Sequence, residues 1–174
     1  MANFRKAQKE DLDTVFKLGQ SVTFDPERSS NDGFLLIPPK LSELEEWVNT
    51  LKYFYIAEEN EAIGYLTGFE RSHMTAYATF LRKMDNFGIN NFLYIDNLVI
   101  DKMHRGKGIG SAFYNFIFDR AKQDGFSHII STIALTPRRN TRSLIFHKKH
   151  GFIDVDSDRL NTVHTFSLLV KKLS

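Results

Sequence analysis

Apolar positions recur along the chain with two periods. From Glu10 to about Gln20, Leu12, Val15, Phe16 and Gly19 fall at helical spacing. Ser42-Glu43-Leu44-Glu45 reads as a capping box, which predicts a helix to about Leu51 with Leu44, Trp47, Val48 and Leu51 inward. His73–Met84 repeats the helical spacing through Met74, Tyr77, Ala78 and Leu81. Gly108–Lys122 does so more strongly, with Ile109, Ala112, Phe113, Phe116, Ile117 and Ala121 on one stripe and Asp124-Gly125 as its stop. Asn140–His150 is a further helix, closed by Gly151. Extended runs rich in aromatic and branched residues fill the intervals: Tyr53–Glu58 and Ala62–Glu70 as a hairpin, Phe92–Ile100, His128–Leu135 and Val163–Lys171. Asn3–Ala7 reads as a short edge strand. Ser21–Lys40 is aperiodic, and Pro38-Pro39 excludes regular structure there.

The resulting order, β-α-α-β-β-(α)-β-α-β-α-β, sets an antiparallel front half against a βαβ-like rear half. It predicts an α/β fold with a mixed, mostly antiparallel central sheet and helices on both faces. A length of 174 residues, without a Pro/Gly/Ser-rich linker, fits a single domain over residues 1–174. With 42% apolar and 25% charged residues the chain has enough apolar material for a core, and 16 Phe supply large side chains for it. A net charge of +2 argues against a dedicated nucleic-acid binder. No apolar run suits a membrane span, and Met1-Ala2-Asn3-Phe4-Arg5 lacks the apolar stretch of a signal peptide. The absence of cysteine excludes disulfides, thiolate metal sites and a cysteine nucleophile, and makes a reducing cytoplasm the simplest location. The histidines lack metal-ligand grouping, so no metal site is expected.

The segment from Leu98 through Asp101, Arg105, Gly106, Lys107, Gly108 and Ile109 to Gly110 joins a strand to a helix. Gly106, Gly108 and Gly110 allow the backbone to approach a ligand and turn its N–H groups inward. The following helix adds free donors and the positive end of its dipole, and Arg105 and Lys107 add charge. The arrangement suits a pyrophosphate, or else a tight strand–helix connection with solvated cations. Its G-x-G-x-G spacing departs from the dinucleotide fingerprint, and no Gly-Lys-Ser/Thr follows at phosphate-loop spacing.

Arg105-x-x-Gly108-x-Gly110 after an apolar strand resembles the acetyl-CoA signature of the GNAT N-acetyltransferase superfamily. Asn140-x-x-Ser143-x-x-Phe146-His147-x-x-x-Gly151-Phe152 resembles its second signature, and Arg5-Lys6-Ala7 with Asp11-Leu12 its opening. The likeness covers essentially the whole chain. It implies a GNAT-like fold in which the central strand splays from its neighbour and the pantetheine arm of acetyl-CoA lies in the gap. Backbone at Leu98, Val99 and Ile100 would pair with the pantetheine amides. Amides from Arg105 to Ser111, through Gly106, Lys107, Gly108, Ile109 and Gly110, would hold the phosphates. Asn140 would reach the pantetheine and Phe146 would pack beside it.

The activity so implied is transfer of the acetyl group of acetyl-CoA to a primary amine of a small molecule, peptide or protein. Many relatives carry a Tyr as general acid four residues before the Gly of Gly-Phe. Here that position is His147, either an acid or a packing residue. Tyr94 and Asp96 alternate to the face of Leu98, where relatives place a base. Asp96 reads as that base, as an anchor for the substrate ammonium, or as a carboxylate bonded across the sheet. Phe34, Leu35, Tyr77, Phe80 and Phe87 read as an aromatic acceptor wall, as core, or as a homodimer face. The competing function is a non-catalytic acyl-CoA-binding sensor, to which the missing Tyr gives weight.

Overall fold

The computed structural model describes residues 2–27, 32–159 and 164–174. Part of the Ser21–Lys40 stretch, and Val163 at the expected start of the last strand, lie outside them. The elements are β1 (Asn3–Lys6), α1 (Leu12–Ser21), α2 (Leu41–Thr50), β2 (Tyr53–Glu58), β3 (Ala62–Glu70), α3 (Ala78–Asn86), β4 (Phe92–Ile100), α4 (Ile109–Gln123), β5 (His128–Ala134), α5 (Thr141–Lys149), β6 (Ile153–Arg159) and β7 (Thr165–Lys172). All seven strands join one sheet in the order β1-β2-β3-β4-β5-β7-β6. The β4–β5 pair is parallel and the other pairs are antiparallel. The predicted mixed, mostly antiparallel sheet is therefore present.

Helices cover both faces. Phe113, Ile117 and Ala121 of α4 and Leu144 of α5 pack on Tyr53, Tyr55, Leu66, Leu93, Ile95, Ile129 and Leu169. On the opposite face the core divides. Leu12 and Val15 of α1 and Leu44 of α2 cover Phe54, Ile56, Tyr65 and Val99. Phe80 and Met84 of α3 cover Phe92, Ile130, Leu168 and Val170. Each fully buried Val, Leu, Ile, Phe or Met among them contributes roughly 1.5–3 kcal/mol.

Several details differ from the sequence pattern. Strand β6 was not expected: three Asp residues in Ile153-Asp154-Val155-Asp156-Ser157-Asp158-Arg159 weaken the strand signal, and backbone pairing with β7 supplies what propensity lacks. Helix α2 begins at Leu41, so Ser42 lies inside it. Only the acidic half of the capping box forms, with the Lys40 N–H donating to the Glu43 carboxylate at 2.7 Å. In α4, Ala112 is exposed, while Tyr114 and Phe118 are buried in the expected stripe's place. That helix packs against Phe146 and Phe152 as well as the sheet, which widens its apolar face.

Candidate active site

Strands β4 and β5 pair only over Phe92–Tyr94 and His128–Ile130. Beyond that point side chains take over. Ser131 Oγ donates to the Ile95 carbonyl at 3.0 Å, and the Tyr94 and Thr132 hydroxyls lie 2.7 Å apart. The strands then diverge, and Leu98, Val99 and Ile100 stand on the wall of the resulting gap.

A bulge lies at its base. Thr67 opposes Asn97 and Gly68 opposes Ile95, so Asp96 is the extra residue of β4. The insertion resets side-chain alternation. Leu93, Ile95, Leu98 and Ile100 lie with the α4 core, whereas Tyr94 packs edge-on against Phe80 of α3. The expectation that Tyr94, Asp96 and Leu98 share one face is thereby corrected: strict alternation fails where one strand carries an extra residue.

Asp96 is exposed to solvent, yet protein atoms crowd its carboxyl. That crowding, reinforced by the Glu43 carboxylate, pushes its carboxyl up to about 6, against the opposing effect of a hydrogen bond from Asn97. The Asn97 amide also reaches the Thr67 hydroxyl at 3.0 Å, so a buried side chain fixes this carboxylate. Nearby, the Tyr65 hydroxyl is buried without a partner beside Gly19, and burial raises its pKa, with Asp96 adding to the effect. The Tyr94 phenol is raised by the same two causes. Neither Asn97 nor Tyr65 was anticipated. Of the expected acceptor wall, Tyr77 and Phe87 are exposed and Phe80 is core.

After β4 the chain turns through Lys102–His104 and enters the glycine loop. Gly106 and Gly108 have φ of +78° and +81°, a region costly for other residues. A Cβ at either would meet nothing within 4 Å, so the loop surface is open. Ala112 is the first residue of α4 to bond back, to the Gly108 carbonyl at 2.9 Å. The amides of Ile109, Gly110 and Ser111 therefore point out of the helix end. With Lys107 exposed beside them, these donors and the helix dipole fit a phosphate-bearing group. Gly110 differs from Gly106 and Gly108: its φ is not positive, and a Cβ there would lie in ordinary contact with the Phe146 ring at 3.5 Å.

Arg105 and Asn140 point elsewhere than the motif suggests. Arg105 Nε donates to the Ile100 carbonyl at 3.0 Å and Nη1 to the Gly33 carbonyl at 3.2 Å. Asn140 caps α5 by accepting from the Ser143 N–H at 3.3 Å, and its Nδ2 donates to the Phe34 carbonyl at 2.8 Å. His147 is buried between α4 and α5. Its Nδ1 lies 2.7 Å from the Ser143 carbonyl and its Nε2 2.6 Å from the Tyr114 hydroxyl. Burial lowers its pKa to about 4, so the ring is neutral near pH 7. Among the described residues no group of three or more His, Asp or Glu could hold a metal, and no helix is long and apolar enough to cross a membrane.

The profile of the acetyltransferase (GNAT) family matches residues 24–152. Solved structures share the fold. An N-acetyltransferase from Staphylococcus aureus Mu50 has a TM-score of 0.68 at 18% identity, covering 100% of this chain and 99% of that one. Ard1 from Thermoplasma volcanium gives 0.72 at 13%, covering 99% and 98%. The yncA structure from Salmonella typhimurium, with its cofactor acetyl-CoA, gives 0.68 at 16%, covering 100% and 95%. No curated protein matches the chain in sequence.

Proposed function

The chain belongs to the GNAT acetyltransferase family, and from that premise we propose that it is an N-acetyltransferase acting on a primary amine of a small molecule, peptide or protein. One observation carries this reading: an open amide cradle at Gly106–Ser111 leads directly into the splayed β4–β5 gap, with the Asp96 carboxylate at its base. When bound, acetyl-CoA supplies an acyl thioester there.

The chain's own residues divide the remaining work. Amides of the loop and the first turn of α4 hold the phosphates, and backbone at Leu98, Val99 and Ile100 lines the arm. Backbone donors near Val99 or Ile100 would polarise the acyl carbonyl. Asp96, ionised above about pH 6, accepts the proton that the acceptor ammonium must lose, and Tyr94 flanks it. His147 is the residue at the family's acid position. Its Nδ1–H donates to the Ser143 carbonyl and its Nε2 accepts from the Tyr114 hydroxyl, so the neutral ring would act as an acid only after taking up a proton at Nε2.

That enclosure of His147 favours one second reading, an acyl-CoA-binding sensor without turnover. Release of free CoA thiol from acetyl-CoA across a panel of small amines and N-terminal peptides separates the two. Thiol release with any member supports the enzyme. Binding of acetyl-CoA with no turnover on the whole panel supports the sensor.

A further inference from the structure

On the sheet face opposite α4, two core clusters meet in a seam. Phe69 of β3 packs against both of them. It opposes Tyr94 in the β3–β4 ladder, and Trp47 of α2 meets its ring edge-on at 5.2 Å. Glu43 lies one helical turn before Trp47 and so shares its face of α2. Glu45 and Glu46 of the same helix are exposed, whereas Glu43 is half-buried. Tyr77, at the start of α3, stands on the other side of the seam. Its phenol is raised by partial burial and then by the Asp96 and Glu43 carboxylates.

Neither carboxylate has a counter-charge. Glu43 accepts from the Lys40 backbone N–H at 2.7 Å, and Asp96 accepts from the Asn97 amide. Among the described residues no Lys, Arg or His side chain pairs with either. Two facing carboxylates without a cation favour a positively charged ligand. Tyr65 points to a ligand independently. Its hydroxyl is fully buried and has no partner. A Cβ on Gly19 would lie 3.0 Å from that hydroxyl and 3.8 Å from Pro39 Cδ, which sets it between the end of α1 and the entry to α2. Asp96 is the charge that acts on it. A buried phenol without a partner is costly, and a hydrogen-bonding ligand removes that cost.

We propose that the seam takes an aliphatic diamine or longer polyamine, with the reacting ammonium at Asp96, the second ammonium at Glu43, and the Tyr65 hydroxyl accepting from an ammonium N–H. The proposal rests on the acetyltransferase reading above and names its acceptor. The Trp47 and Phe69 rings offer apolar surface to the methylenes between the two charges. In transfer, the ammonium at Asp96 gives that carboxylate one proton and attacks the acyl carbon as the free amine. The N–C bond forms, the C–S bond breaks, and the second N–H proton leaves with the sulfur. The ammonium at Glu43 keeps its charge throughout and holds the chain in position.

The test uses the full chain, acetyl-CoA and two matched pairs of amines: butylamine with butanediamine, and hexylamine with hexanediamine. In wild type kcat/KM should be about tenfold or more higher for the diamine of at least one pair, the worth of one hydrogen bond to a charged group. Glu43→Gln keeps an acceptor oxygen for the Lys40 N–H and should erase that preference, chiefly through KM. Glu46→Gln, an exposed charge on the same helix, should retain it. Tyr65→Phe should weaken it without lowering Tm. The groups facing Asp96 are Glu43 of α2, Tyr77 of α3, Tyr94 of β4 and Tyr65 of β3, and of these only Glu43 is a carboxylate. Glu43→Gln should therefore move the acid limb of kcat/KM for butylamine to lower pH, a shift that a purely structural role would not produce.

Equal rates for monoamines and diamines in wild type would overturn the second ammonium site and leave the acetyltransferase reading intact. A preference that survives Glu43→Gln overturns it as well, and so does an N-terminal peptide that outpaces both diamines. Calorimetry without acetyl-CoA separates the two readings. Wild type should bind butanediamine more tightly than butylamine, and Glu43→Gln should lose the difference. If that binding pattern holds while no amine releases CoA thiol, the acetyltransferase reading falls and the diamine site stands. If wild type binds both amines equally, the site falls.

Discussion

The Tyr114 hydroxyl and His147 Nε2 meet at 2.6 Å in the buried seam between α4 and α5. With Nδ1 held by the Ser143 carbonyl at 2.7 Å, the neutral ring carries its proton on Nδ1, and the tyrosine donates to Nε2. Each residue is the other's partner, so removing one strands a polar atom in the core. We expect His147→Phe and Tyr114→Phe each to cost about 1–3 kcal/mol. The double variant should cost less than the sum, since no donor is then left unpaired. Denaturant unfolding of the four proteins measures the coupling, and strict additivity would remove the bond from the stability account. If His147 is also the acid, His147→Phe slows turnover by about 10²-fold or more at unchanged acetyl-CoA affinity, and His147→Tyr recovers part of that loss.

The same burial makes an acid-sensitivity prediction. A histidine at about 4 in the native protein and 6.5 when unfolded binds its proton first in the unfolded chain. Its contribution is complete above pH 6.5 and is lost as pH falls through that window. The loss is up to about 1.4 kcal/mol per pH unit, on the order of 3 kcal/mol in all. Wild-type stability between pH 7 and pH 4 should therefore fall more steeply than that of His147→Gln. Parallel curves would show that His147 is not the group responsible.

Asp96 carries the opposite sign. A carboxyl raised from 3.8 to about 6 holds its proton longer when folded, so the native state loses stability as pH climbs through that interval. Asp96→Asn should melt higher than wild type at pH 8, and that advantage should vanish near pH 4. The activity trace should run the other way. Wild-type kcat/KM should show an acid limb with an apparent pKa near 6 that the variant lacks, along with a greatly reduced rate. A variant as active as wild type across pH would exclude Asp96 as the base.

What could be read in the sequence was what local chemistry dictates. Phe92–Ile100 announces itself by aromatic and branched residues, and Gly106 and Gly108 by a backbone that needs positive φ. Features that depend on a distant partner stayed hidden. Strand β6 is too acidic to look like a strand and exists because β7 offers it an edge. The bulge that puts Asp96 out of step with Leu98 depends on register against Thr67 and Gly68, which no single strand encodes. Asn97 and Tyr65 gain meaning only once the fold brings Thr67, Asp96 and Gly19 beside them. Arg105 matches its motif by spacing, yet its guanidinium is committed to Gly33, a residue 72 positions away.

Gly64 is another such position, and its prediction is mechanical. A Cβ there would lie 2.5 Å from the Val99 carbonyl oxygen and 2.7 Å from Ile100 Cδ1. The first of these is backbone in the β3–β4 ladder and cannot yield without moving the strand end that feeds the cradle. Gly64→Ala should cost about 1–3 kcal/mol, a fall of roughly 3–10 °C in Tm for a chain of this size, and should weaken acetyl-CoA binding as well. A variant that melts with wild type would mean that β3 and β4 separate more easily than their register implies.

The cradle itself is tested at Gly108. Its φ of +81° strains any other residue, by about 1–2 kcal/mol, so a loss of stability alone would say nothing about a ligand. Gly108→Ala and Gly108→Glu share that strain and differ in what they place on the open surface of the loop, where a Cβ meets nothing within 4 Å. The methyl adds little, while the glutamate sets a bulky anion among the amides of Ile109, Gly110 and Ser111. Acetyl-CoA at about 100 times its Kd should stabilise wild type by about 2.7 kcal/mol through mass action, read as a rise of roughly 5–10 °C in Tm. Gly108→Ala should keep most of that rise from its lower starting point, and Gly108→Glu should lose it. If the glutamate variant still shows the full ligand-induced shift, the phosphates do not sit on this loop. If the alanine variant loses the shift as completely as the glutamate variant, backbone conformation at Gly108 rather than charge governs binding.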